Sequence, residues 1–201
     1  MTVSIKQRIN SISDSTTRQV LNDMLDAVRT DLAALYANTD AVDTALSGDS
    51  IINTSTLSTG STAENVATTA FQYRIDGVSY TKAAVTAGTA LTACTINTGT
   101  ATVTFYGGLL IQINAAGTIS SLPSGTDQVH ETAAAALAAA QAITPTAGNV
   151  AVGYVVVTAN ADSAWTAGTD DLTAESDCAA VSYTSAPALA VTAASSQTLI
   201  A

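Results

Sequence analysis

Positive charge is scarce in this sequence. Its six Lys and Arg residues (Lys6, Arg8, Arg18, Arg29, Arg74 and Lys82) all lie before position 83. Beyond Lys82 the charged side chains are acids only: Asp127, Glu131, Asp162, Asp170, Asp171, Glu175 and Asp177. A surface of that kind repels phosphate backbones and excludes nucleic acid as a partner of the C-terminal half. Its acidity reads as solubilising rather than as a docking surface. Aromatic side chains are 4% and charged ones 11%, while 47% are hydrophobic, so small and β-branched residues must fill the core. Cysteine is nearly absent too. Cys94 and Cys178 form neither a disulfide framework nor a zinc pattern and are expected as two buried free thiols.

Long apolar runs are also missing. The longest, at 150–157 and 133–140, are too short to span a membrane and read as a strand and a helix. The first ten residues carry charge and lack a continuous apolar stretch, which argues against a signal peptide and for synthesis and folding in the cytosol. Catalytic equipment is thin as well. The one histidine, His130, sits at the polar start of an alanine run with no attached nucleophile motif, so it reads as a solvated or capping residue. Asp170, Asp171, Glu175 and Asp177 form the one acidic cluster, but without the glycine and terminal glutamate of an EF-hand they read as a solvated loop. There is no phosphate-binding glycine loop; Gly107-Gly108 fits a turn or bulge between two strand patterns. No catalytic, cofactor-binding or metal-binding residue is assigned, and an enzyme is not expected.

A helical repeat is the sharpest positive signal. Leu21, Leu25, Val28, Leu32, Leu35, Thr39, Val42 and Leu46 are spaced 4, 3, 4, 3, 4, 3, 4. That alternation keeps one seam on one face of a supercoiled helix. Ser13 or Asp14 can cap its start, and Gly48 stands just past its end. Leu25, Leu32, Thr39 and Leu46 take position a; Leu21, Val28, Leu35 and Val42 take position d. Leucine at a with β-branched residues at half of the d positions favours three or more parallel strands, and a homotrimer is the expectation. The rival reading is an amphipathic helix lying on the chain's own β domain. The flanking e and g residues Asn22, Met24, Arg29, Asp31, Tyr36 and Asn38 give no pattern of opposite charges that would decide between them. Ahead of the seam, Ile5, Ile9 and Ile12 with Lys6 and Arg8 form a small basic, apolar patch. It suits docking on an acidic partner or packing on the bundle.

The pattern divides the chain into a helical segment at 1–48, a Ser/Thr-rich extended connector at 49–70, a β-rich head at 71–185 and a tail at 186–201. In the head, Phe71, Tyr73 and Ile75 alternate, as do Val78 and Tyr80, and Asp76-Gly77 between them predicts a type I′ hairpin. Further strands are expected at 91–96, 101–106, 109–114, 117–122, 150–158 and 179–184, with one helix at 131–143 ending before Pro145. Alanine all round that helix implies close packing on a sheet. The fold class expected is α+β: an N-terminal coiled-coil helix, then a mainly antiparallel β-sandwich or barrel-like head with one short Ala-rich helix.

Phe71-Gln-Tyr-Arg-Ile-Asp-Gly-Val-Ser-Tyr-Thr-Lys-Ala-Ala, then Ala87-Gly-Thr-Ala-Leu, Asn114-Ala-Ala-Gly-Thr-Ile, and Val152-Gly-Tyr-Val-Val-Val leading to Thr166-Ala-Gly-Thr-Asp-Asp-Leu, resembles virion structural proteins of tailed bacteriophages over most of 71–173. The resemblance implies a helical stalk or anchor with a β head, as in capsid decoration (cement) proteins, head fibres and tail-fibre parts, often trimeric. It therefore implies a place on the virion, at the capsid surface, with the major capsid protein as partner; the charge distribution and the short apolar runs already argue against nucleic acid and membrane as partners. The alternative it leaves is a tail-fibre or adhesin segment that binds a host surface glycan or protein.

Overall fold

In the computed structural model, residues 5–96, 103–173 and 177–188 are described, with no side-chain description over 40–47. The chain divides into two compact units, one built on the N-terminal segment up to Leu46 and one over Ser47–Val191.

The first unit holds α1 (Ile5–Asn10) and the 33-residue α2 (Ser15–Ser47). Asp14 supplies the cap of α2: its carboxylate accepts the Thr17 backbone N–H at 2.8 Å, satisfying one of the orphan donors of the first turn. No Pro or Gly interrupts the following 33 residues, so the ladder of backbone bonds runs to Ser47 and stops beside Gly48.

The second unit is mixed α+β with mostly antiparallel pairing. Its strands are β1 (Ser50–Asn53), β2 (Leu57–Thr59), β3 (Asn65–Thr68), β4 (Phe71–Ile75), β5 (Val78–Lys82), β6 (Val85–Ala90), β7 (Thr95–Ile96), β8 (Tyr106–Asn114), β9 (Ile119–Pro123), β10 (Asp127–Gln128), β11 (Asn149–Ala159), β12 (Trp165–Thr166) and β13 (Cys178–Ser185), with α3 (Ala133–Gln141) between β10 and β11. They form sheets in the orders β1-β4-β5, β2-β3-β6, β10-β7-β12 and β13-β11-β8-β9, where β10 and β7 run parallel. All four sheets are open, so among the described residues no barrel closes, and the barrel-like alternative is withdrawn: sheets of three or four strands are too narrow to curl onto themselves. The Ser/Thr-rich extended stretch at 49–70 carries β1, β2 and β3. Ile51, Leu57 and Val66 anchor it in the core.

The Asp76-Gly77 hairpin forms as the sequence predicts. Ile75 pairs with Val78 across a two-residue turn whose φ values, 50° at Asp76 and 76° at Gly77, are those of type I′. Phe71, Tyr73 and Ile75 face the core, while Gln72 and Arg74 lie on the other face.

Gly107-Gly108 is a correction. The pair sits inside β8, which runs unbroken from Tyr106 to Asn114 and is buried from Gly107 to Ile113. Glycine is there for room on both faces: a Cβ on Gly108 would meet the Ala136 carbonyl oxygen at 2.2 Å, and one on Gly107 would meet the Ile96 side chain at 2.5 Å. Thus α3 presses its backbone onto β8, with Ala136 and Ala140 fully buried, while Ala133, Ala134 and Ala138 face outward. Close packing on the sheet holds for one face of α3 only. Thr132, not His130, caps it: the Thr132 hydroxyl accepts the Ala135 N–H at 3.1 Å. No helix among the described residues is long and apolar enough to cross a membrane.

Candidate functional site

The seam residues fall into two groups on α2. Leu21 and Leu25 are half-buried, whereas Val28, Leu32, Leu35 and Thr39 are exposed, the three apolar ones at 61%, 46% and 59%. Val42 and Leu46 lie outside the described side chains. The exposed face is broader than the eight-residue seam. Met24 and Tyr36, at flanking g and e positions, are open to solvent beside it and widen the apolar arc beyond a strict a/d stripe, whereas Val20, at c, is exposed away from the seam. Thr39, the polar member of the seam, donates its hydroxyl to the Leu35 carbonyl at 2.9 Å. It can therefore enter an apolar interface with no unsatisfied donor.

The N-terminal patch is divided as well. Ile5, Lys6 and Arg8 are exposed on α1, Ile9 is buried, and Ile12 is half-buried in the turn that follows. Arg18 donates to the Ile12 carbonyl at 3.2 Å and ties that turn to the start of α2.

The polar groups nearest to catalytic types are Ser124, Gln128 and His130, with Cys94 beside them. Gln128 is 2% exposed. Its Oε1 accepts the Gly108 N–H at 2.6 Å, which fixes the orientation of the amide, and its Nε2 then faces the Gly125 carbonyl at 3.3 Å and the Cys94 sulfur at 3.5 Å. Ser124 donates its one hydroxyl proton to the same Oε1 at 2.8 Å. His130 Nε2 lies 3.4 Å from that hydroxyl, whose proton is already given to Gln128. The imidazole's own backbone pairs with Tyr106. The cluster is a satisfied structural network that holds β8, β10 and the 124–130 segment together. Burial pushes the Cys94 thiol up to about 11, and the Cys178 thiol is raised for the same reason. Both cysteines are buried and unpaired, as expected.

The acids serve the backbone. Asp170 accepts the Thr166 N–H at 2.6 Å, and Asp177 accepts the Ser163 hydroxyl. Glu175 lies outside the described residues. Among those described, no three His, Cys, Asp or Glu side chains are grouped to hold a metal ion.

The second unit also carries an open groove of about 680 Å³ that no sequence pattern indicated. Asp49, β1, the 144–149 loop, Tyr154 and Pro187 line it. Asp49 is its one charged side chain, and that carboxylate already accepts the Asp76 N–H at 2.8 Å. Among family models, curated proteins and solved structures, none matches this chain.

Proposed function

We propose that this chain is a non-enzymatic structural component of a tailed-phage virion: a homotrimeric capsid decoration (cement) or head-fibre protein that seats on the major capsid protein. The observation that carries the proposal is the uncharged, exposed face of α2 at Val28, Leu32, Leu35 and Thr39, repeated at heptad spacing. A solvent-facing row of leucine and valine on a soluble helix calls for a partner, and heptad spacing makes a copy of the same helix the best-fitting one. Tyr36, at a flanking e position, favours more than two helices, because flanking positions become covered as strands are added. The resemblance over 71–173 supplies the particle.

Function then follows from avidity. Three joined copies present three identical docking surfaces, and linkage converts weak single contacts into stable attachment to the capsid. Ile5, Lys6 and Arg8 are the capsid-facing candidates, as the exposed cationic and apolar groups of the N-terminal segment. The test is the mass of the purified protein in solution, followed by mixing with undecorated capsids and with host cells. A trimer that sediments with capsids is expected. A monomer would remove the assembly. The groove on the second unit favours a second reading, a tail-fibre or adhesin segment that takes a host glycan or protein; binding to cells and not to capsids would establish that one instead.

A further inference from the structure

The eight seam positions share one spacing, yet a single chain treats them differently. Arg18, Leu21, Asn22 and Leu25 are all half-buried, and they stand at i, i+3, i+4 and i+7, one face of one helix. The Asn22 side-chain oxygen is fully closed off from solvent, and Arg18 is engaged with the Ile12 carbonyl. From Asp26 to Thr39, by contrast, every residue is exposed. The covered face also includes an arginine and an asparagine, poor choices for the interior of a bundle of helices. The exposed face at Val28, Leu32, Leu35 and Thr39 has no charge, and its one hydroxyl is already satisfied.

We infer that α2 is two contact surfaces in series: residues 18–25 pack within their own chain, and the contact between copies begins at Val28 and continues along the seam toward Leu46. This rests on the homotrimer reading and narrows it. The occupant of the exposed face is a second and third copy of the same face. The regular spacing of Leu21 and Leu25 with the later residues then reflects helix geometry, not a shared partner. An interface that begins at Val28 has fewer than three heptads. Removal of two leucines from it should therefore be enough to release the copies.

Two matched double variants test this, since each removes two leucines and leaves the good helix former alanine in their place. Leu32→Ala with Leu35→Ala should reduce the mass in solution to that of one chain, 20.1 kDa, and leave Trp165 fluorescence unfolding unchanged. Leu21→Ala with Leu25→Ala should keep the oligomeric mass and lower the midpoint of helix loss measured by circular dichroism at 222 nm. If the 21/25 variant also falls to single chains, the seam is continuous and the inference is overturned. If the wild type is oligomeric and the 32/35 variant stays so, copies meet elsewhere and it is likewise overturned. A wild type that is already monomeric would remove the trimer reading itself.

Discussion

At Gly108 the missing side chain is the structural element. The Ala136 carbonyl occupies the space a Cβ would take, so Gly108→Ala must push α3 off β8. A backbone neighbour cannot rotate away, and we expect a loss of about 1–3 kcal/mol or more in stability, measured by chemical unfolding of the one tryptophan, Trp165, which is fully buried. The Gly108 N–H depends in turn on Gln128. Gln128→Met keeps the volume but leaves that buried donor unpaired, at a cost of about 1–3 kcal/mol in the same assay. Neither residue stands out in the sequence. A Gly-Gly pair reads as a turn because local propensity is all that a sequence displays, whereas Gly108 is fixed by a helix some thirty residues further along and Gly107 by the Ile96 side chain. Cys94 was legible as buried. With its thiol pushed up to about 11, native protein should resist iodoacetamide at pH 8 and react quickly once unfolded.

Elements with their own local chemistry were the ones the sequence displayed. The β4–β5 turn needs positive φ at both central residues, and Asp-Gly provides it. Gly77→Val should accordingly cost on the order of 1–2 kcal/mol, read from the thermal midpoint, without disturbing α2. The α2 cap is equally local. Hydrogen bonds from the Thr17 hydroxyl and backbone hold the Asp14 carboxyl below its ordinary value. Because the folded-state value is depressed, the capping contribution is present above the usual carboxylate range and is lost as pH falls through the folded value. The first turn of α2 should fray in acid, and Asp14→Asn, which caps without titrating, should flatten that dependence in the 222 nm signal. By contrast, β6, β10 and β12 escaped notice. β10 and β12 are two residues long, and β6, with its Val-Thr-Ala-Gly-Thr-Ala run, shows no clean alternation of buried and exposed positions. Pairing partners distant in sequence make them strands.

For the whole molecule, the legible part of the candidate site was its period; its division was not. Which side of α2 meets solvent depends on what the rest of the chain covers, and that is a tertiary fact no heptad count contains. Burial of Ile9 beside exposed Ile5 has the same origin. The segregation of cations gives the molecule a further property. Trypsin cuts only after Lys or Arg, and four of the six sites lie on or just before α2, while Arg74 and Lys82 are held in paired strands β4 and β5. Brief digestion of the native protein should cut first after the exposed Lys6 and Arg8 of the short α1 and spare Arg74 and Lys82. Even after denaturation, residues 83–201 should survive as one peptide by mass spectrometry, because nothing in them offers the protease a positive side chain. The same scarcity of positive charge thus leaves strands β6 to β13 together on one tryptic peptide.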